Sequence, residues 1–467
     1  MKVGGLRWGA EPAYQRGGLS SELSDESPAP PFEGALTTVA GMDTEGARPR
    51  AAVVVTGSEL LTGVIEDRNG PWLARELSGL GFEVAHIQLV GDRPEDLAAA
   101  LHIAANDCAL VVTSGGLGPT ADDLTGEVVA AFAGVDLVLD EGMREHIAGI
   151  LAGWARRTGF SGPALEAANR KQAMVPRGAV PLRPVGTAPG LVVSRPGGPL
   201  LVVLPGPPRE LQGMWPAALA SAPVRELLAG VPAAAARSLR YFGLPESEIA
   251  ATLRVLGAER DLAGVEVTTC LRRSELEVDL RPRPGAEATA AELADELATR
   301  HARHLISADG TSTDELLATA LRERALTVAT AESCTAGLLV ARLVDRPGSS
   351  AYVLGGTVAY SNDAKVAQLG VPDELIEAHG AVSPEVARAM ADGARARYGA
   401  EVGIGVTGVA GPDGGTPAKP VGYVCFCVTT GNGTVLARDP VLPGRRADIR
   451  ERSVDVGMHL LLRAVRA

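Results

Sequence analysis

Short apolar runs alternate with helical segments through the first half of the chain, and no other feature restricts the fold as strongly. Ala51–Thr56 is an apolar run ended by Gly57, Asn69–Leu80 has helical spacing, and Phe82–Leu89 is strand-like. Pro94–Ala105 has helical spacing and opens with acidic residues, which suit the positive end of a helix dipole. Leu110–Thr113 and Leu200–Leu204 read as buried strands, the second closed by Pro205-Gly206-Pro207-Pro208. Arg209–Leu228 is predicted helical, interrupted at Pro216 and Pro223. Strands that alternate with helices favour a mainly parallel sheet covered by those helices. The pattern therefore predicts a doubly wound α/β domain over residues 49–237.

The texture changes twice further on. In 238–308, Leu239–Phe242, Val265–Cys270 and Leu276–Leu280 read as strands, with Ser247–Val255 and Glu287–His304 as helices. This predicts a small α+β connecting domain. From 309 to 467 a second α/β domain is predicted. Ser312-Thr313-Asp314-Glu315 is a capping box opening a helix to about Glu323, and Ser383-Pro384-Glu385 is another helix start. Thr327–Thr330, Val402–Val406 and Tyr423–Thr429 read as buried strands, and Glu332-Ser333-Cys334-Thr335-Ala336-Gly337 is expected to open a helix directly. Residues 1–48 run through Gly, Ser, Pro and acidic residues, too polar to offset the entropy of ordering. They are expected to form a disordered extension, with the true start near Met42.

Charge and cysteine usage exclude several classes. The net charge of −12 argues against nucleic acid as the main ligand, because a phosphate-backbone binder needs a concentrated basic surface. No apolar run approaches the roughly 20 residues that span a bilayer, so no membrane partner is expected. Five scattered cysteines indicate a reduced, cytoplasmic protein, and Cys425-Phe426-Cys427 alternates like a core strand. His301 and His304 stand at i, i+3 without further ligands that would complete a zinc site.

Two regions carry chemistry. In the first, Gly115, Gly116, Gly118 and Thr120 lie in a loop between a buried strand and a helix. Glycines there let the backbone approach a ligand and turn N–H groups toward an anion. Asp122 and Asp123 at the loop's end are candidates to hold a divalent cation, with phosphate oxygens completing its shell; the alternative is a simple helix cap.

In the second region, Gly403-Ile404-Gly405-Val406-Thr407-Gly408 matches a dinucleotide-binding fingerprint. Gly411, Pro412, Gly414 and Gly415 forbid the helix that such a site requires, so a dehydrogenase is rejected. The loop is read instead as a wall that puts Thr407 and Gly408 beside a ligand. Ser333 is a candidate nucleophile where free N–H groups, among them those near Thr335, are expected to stabilise an oxyanion. A serine needs a base, and Lys365 serves if burial lowers its pKa. Tyr360 is a candidate proton relay, and Cys334 is the rival nucleophile. Arg450 and Arg446 share a helix face and suit phosphate, with Arg450 preferred because it lies further from the Pro443-Gly444 turn.

Taken together, these motifs resemble the CinA family. Gly57-Ser58-Glu59-Leu60-Leu61, the Gly-Gly-Leu-Gly-Pro-Thr-x-Asp-Asp run from Gly115, Gly186-Thr187-Ala188-Pro189-Gly190 and Leu204-Pro205-Gly206-Pro207-Pro208 resemble its molybdopterin-binding, MoaB/MogA-like front domain. Glu332-Ser333-Cys334-Thr335, Tyr360-Ser361-Asn362 with Lys365, and Thr407-Gly408-Val409-Ala410-Gly411-Pro412 resemble its C-terminal domain. Three positions depart from the family pattern: Ser58 replaces Asp or Thr, Arg68 replaces Thr, and Ala336 replaces Gly. The resemblance implies deamidation of nicotinamide mononucleotide to nicotinate mononucleotide in the C-terminal domain, with no cofactor required. It also implies a phosphate-bearing ligand in the front domain, where some relatives hydrolyse ADP-ribose with a divalent metal. A non-catalytic nucleotide-binding or partner-binding protein is the alternative of another class. A small-molecule nucleotide substrate and a homo-oligomer are the expected partners.

Overall fold

The computed structural model describes residues 48–158, 162–231 and 236–467. The extension expected over 1–48 and the start near Met42 lie, up to residue 47, outside the described residues. The first sheet has six strands, in the order Glu83–Val90, Arg50–Thr56, Leu110–Ser114, Leu200–Leu204, Gly190–Val193 and Val180–Leu182. Its first four strands are parallel and the last two antiparallel. The unbroken apolar runs follow from helices on both faces. Along Arg50–Thr56, Ala51, Val53 and Val55 enter one core with Leu73, Leu77 and Trp215. Ala52 and Val54 enter the opposite core with Leu97, Leu101 and Val129. Side chains that alternate between two buried faces leave no room for a polar residue.

One boundary differs from expectation. The helical stretch expected over Arg209–Leu228, with interruptions at Pro216 and Pro223, is two helices, Pro208–Ala220 and Ala222–Ala229, broken at Ser221, whose backbone is extended. Pro223 stands at the start of the second helix, where a missing N–H costs nothing, whereas Pro216 is accommodated inside the first.

The connecting module is a four-stranded antiparallel sheet, ordered Val265–Arg272, Glu275–Pro282, Arg237–Phe242 and Leu305–Ser307. Helices Glu246–Glu259 and Glu287–Arg300 supply Ile249, Leu256, Leu293 and Leu297 to its core. His301 bonds Thr252 and His304 bonds the Phe242 carbonyl, so both histidines serve packing.

The last sheet runs Val353–Val358, Val328–Glu332, Val402–Gly408, Val424–Thr430 and Val435–Arg438. Its first three strands are parallel, and the other two pair antiparallel. Val402, Ile404 and Val406 face one core, which also takes in the long helix Arg446–Arg466. Gly403 and Gly405 face the helix Pro384–Tyr398, and a Cβ on either would strike the carbonyl oxygens of Ala391 and Ala387. The glycine spacing that imitates a dinucleotide fingerprint therefore exists for helix–strand contact, and a tight loop follows instead of a helix.

Between these modules, Arg342 is buried and held by both oxygens of Asp314 at 2.8 Å and by Asp455. The hairpin tip Arg273–Ser274 of the connecting module has positive φ at both residues, and Ser274 donates to Asp455 at 2.7 Å. Among the described residues no helix is long and apolar enough to cross a membrane.

Gly405→Ala is expected to lower stability by about 1–3 kcal/mol, the usual cost of forcing extra volume into a packed core. Chemical denaturation against the parent protein measures it; an unchanged midpoint would show that the helix yields freely.

Candidate functional site

The site begins with an acid at the end of a buried strand. Val328–Glu332 is buried at every position, including Glu332. The Glu332 carboxylate accepts hydrogen bonds from the backbone N–H groups of Gly337 (2.9 Å), Leu339 (3.1 Å) and Val340 (2.8 Å), and from the Thr330 hydroxyl (3.1 Å). These N–H groups open the helix Leu338–Val344, which would otherwise leave them unpaired. Between strand and helix lies a turn, Ser333–Gly337, with Ala336 at φ 51° and Gly337 at φ 93°. Thus the helix does not start at Glu332 as expected, and its free donors are taken by Glu332. Ala336 occupies a left-handed position where glycine carries no steric penalty, a physical reason for the Gly that the family pattern usually has there.

The turn holds Ser333 against Lys365. Ser333 is 8% exposed and its N–H donates to the Val406 carbonyl at 2.9 Å. Lys365, on helix Asn362–Leu369, is 2% exposed. Its Nζ lies 3.2 Å from Ser333 Oγ, 3.0 Å from the Ala359 carbonyl and 3.4 Å from the Tyr360 carbonyl. Among the described residues no carboxylate pairs with it. Burial disfavours the ammonium and holds the pKa below the ordinary lysine value. Nζ donates to the two carbonyls and to Ser333 Oγ, and once it loses a proton its lone pair can face the serine hydroxyl.

Both side chains line a cavity of 190 Å³ with Cys334, Tyr360, Asn362, Ala381, Thr407, Gly408 and Arg446. Thr407 donates its hydroxyl to the Ala381 carbonyl at 2.8 Å, fixing the wall. Burial pushes the Cys334 thiol up to about 12, so it stays protonated and is a poor nucleophile beside Ser333.

Four expectations are corrected here. Tyr360 is 60% exposed, and its hydroxyl accepts from Arg446 at 3.0 Å; only its backbone carbonyl meets Lys365, so the ring is a rim group and not a relay. Thr335 is fully buried and lies outside the cavity lining, so it does not touch a ligand there. Arg450 donates to the carbonyls of Cys334 (3.0 Å) and Thr335 (3.2 Å); it clamps the turn from behind. The arginine that reaches the cavity is Arg446, which also donates to the Gly411 carbonyl at 2.8 Å. A cation on the first turn of a helix opposes the dipole, and that unfavourable placement was the signal that marked Arg446. Glu332 and Asn362 stood inside the quoted motifs without a role; an acid ending an apolar strand was the signal for Glu332.

In the front domain, Gly115 and Gly116 have positive φ, and a Cβ on them would strike Thr56 and Thr125. Gly118 sits against Asp123, whose carboxylate accepts from the Thr120 N–H at 2.8 Å and from the Thr120 hydroxyl. Asp122 is exposed and borders, with Asp92, Thr56 and Gly116, a cavity of only about 10 Å³. Asp92 accepts from the Ser58 N–H and hydroxyl at 2.9 and 2.7 Å, and Asp67 caps Asn69 and Gly70. Among the described residues no three His, Cys, Asp or Glu side chains group so as to hold a metal ion. The cation site expected at Asp122 and Asp123 does not fit these residues, because Asp123 is already used to close its own turn.

The chain thus joins two α/β domains through an antiparallel module, and family models describe both ends. Residues 52–226 match a probable molybdopterin binding domain, and residues 310–465 match the CinA C-terminal domain. Among curated proteins, the CinA-like protein of Mycobacterium marinum is 54% identical over 424 residues, covering 89% of this chain and 98% of its own length. The CinA-like protein of Mycobacterium sp. (strain MCS) is 55% identical over 421 residues, covering 89% and 99%. The crystal structure of the competence/damage inducible protein CihA from Agrobacterium tumefaciens is 39% identical, covering 34% of this chain and 99% of that one, with a TM-score of 0.32. The chain belongs to the CinA-like family.

Glu332→Ala would leave three helix N–H groups unpaired and buried, and is expected to cost at least about 2 kcal/mol. Thermal unfolding measures the loss; a parent-like midpoint would mean that water replaces the carboxylate.

Proposed function

We propose that the C-terminal domain hydrolyses the carboxamide of nicotinamide mononucleotide, giving nicotinate mononucleotide and ammonia. The observation that carries this reading is the Ser333–Lys365 pair, 3.2 Å apart in a cavity, with a lysine whose burial favours the neutral amine. Family membership supports it further, since the motifs that form the cavity are those by which the chain resembles CinA deamidases.

Neutral Lys365 takes the proton of the Ser333 hydroxyl as Oγ forms a bond to the carboxamide carbon. Cys334 and Asn362 line the same cavity and offer an N–H and an amide to the oxyanion, in place of the helix N–H groups that Glu332 occupies. The Lys365 ammonium returns its proton to the amide nitrogen as the C–N bond breaks and ammonia leaves. Water then attacks the acyl-serine, giving up a proton to Lys365, and collapse of the adduct restores the Ser333 hydroxyl and releases the carboxylate. A cavity of 190 Å³ suits one aromatic ring with its amide, since about 150 Å³ is enough for benzene. Arg446 stands at the same wall with donors left over for the phosphate.

Ammonia release from nicotinamide mononucleotide by the full chain is the direct test. Ser333→Ala should lower kcat about 10³-fold or more, while Cys334→Ala keeps most of the turnover. The reverse pattern would transfer the nucleophile to Cys334, and no release by the parent protein would end the proposal.

The base assignment makes a pH prediction of fixed sign. Because the folded protein holds the Lys365 pKa below the ordinary value of about 10.4, kcat/KM should rise with pH as the amine loses its proton. The midpoint should lie below that value, and Lys365→Met should abolish the rising limb along with turnover. A flat profile in the parent would exclude Lys365 as the base.

A further inference from the structure

A second cavity, of 610 Å³, lies between the connecting module and the C-terminal domain and shares no lining residue with the cavity at Ser333. Four arginines line it: Arg303 from the connecting module, Arg438 from the last strand, and Arg452 and Arg463 from the long C-terminal helix. Among the described residues, none of the four has a carboxylate within 4.0 Å. The one acid in the wall, Asp439, accepts from the Tyr423 hydroxyl at 3.2 Å. In a chain where acids exceed bases by 12, four unpaired guanidinium groups at one concavity are an anomaly of placement. All four are exposed to solvent and so free to receive an anion.

The floor of the cavity points the same way. His459 stacks on Phe242 with centroids 4.0 Å apart and planes 17° apart. Its Nδ1 is buried with no hydrogen-bond partner. Burial, then Arg463, Arg438 and Arg466, push its pKa down to about 4. The ring is therefore neutral at pH 7 and able to donate or accept one hydrogen bond without adding charge. The volume falls within the roughly 300–1,000 Å³ of small-molecule sites.

We infer that this inter-module cavity binds a small oligophosphate, a molecule with two or more linked phosphate groups such as a nucleoside di- or triphosphate. Guanidinium groups match phosphate oxygens in pairs, and four of them exceed what a single phosphate group can engage. A concavity closed by two modules suits a compact ligand, whereas an extended strand of nucleic acid needs a groove that continues. The site is independent of the proposed deamidation, since its arginines are remote from Ser333.

Titration calorimetry of the full chain with inorganic tripolyphosphate tests this at moderate ionic strength. Saturable binding at one site per chain is expected, weakened tenfold or more in the Arg438→Ala/Arg463→Ala double variant. That variant should keep the parent unfolding midpoint without ligand, because neither side chain has a partner to lose. If it does not fold, Arg303→Ala/Arg452→Ala takes its place with the same expectation. No saturable binding by the parent, or equal binding by the folded double variant, would overturn the inference. So would a single-stranded oligonucleotide that binds and that tripolyphosphate fails to displace.

Discussion

A carboxylate buried at the end of a strand holds the C-terminal domain's chemistry in place. Glu332 receives three backbone N–H groups from the helix that follows, across a turn of five residues. A buried acid in that position is tolerated because its hydrogen bonds replace the water it has lost. The same bonds fix the path of the turn that carries Ser333, whose Oγ lies 3.2 Å from Lys365 Nζ. Arg450 completes the clamp from behind by holding the carbonyls of Cys334 and Thr335. Charged groups that look catalytic in the sequence are used here to shape the backbone, and the proposed chemistry falls to a hydroxyl and an amine.

Burial without a counter-ion distinguishes Lys365 from the other buried cation of the domain. Arg342 is buried too, yet it is matched by Asp314 and Asp455 and so stays charged. Lys365 donates to two carbonyls and a hydroxyl but has no carboxylate partner, and burial holds its pKa below the ordinary lysine value. The paired arginine ties three segments of the domain together, whereas the unpaired lysine is the base of the proposed reaction. Asp455 also receives Ser274 from the connecting module, so the helix that carries Arg446 and Arg450 is tied at its middle to a neighbouring module. That helix contacts the Ser333 cavity near its start and the arginine-lined cavity further along.

Much of this architecture was legible in the residue order. The apolar runs at Arg50–Thr56, Leu110–Ser114 and Leu200–Leu204 are strands because a segment buried on both faces has no polar positions to spare. Ser312 and Ser383 cap their helices as their spacing implies, by accepting from Glu315 and Val386. Ser333, Lys365, Thr407 and Gly408 do share one cavity. Some errors arise where a side chain's partner is distant in sequence, others where a local pattern fits two roles. Arg450 was preferred to Arg446 because it lies further from the Pro443-Gly444 turn, and only the contacts with the Ser333–Gly337 turn reveal that Arg450 is occupied. Asp122 and Asp123 resembled cation ligands because a pair of acids after a glycine loop is compatible with either a metal or a cap.

By itself, then, the sequence determined many of the strands and helices, that two α/β domains flank a smaller module, and which residue types could supply a nucleophile and a base. These are properties of local periodicity, composition and capping, and they need no knowledge of distant contacts. Only the tertiary structure decided which acids and arginines are already spent on backbone groups, that Lys365 is buried without a carboxylate, and that four arginines from different elements meet at one cavity. Such decisions depend on distances between residues tens or hundreds of positions apart. Hydrogen-bond saturation and desolvation are set by those distances, and periodicity carries no record of them.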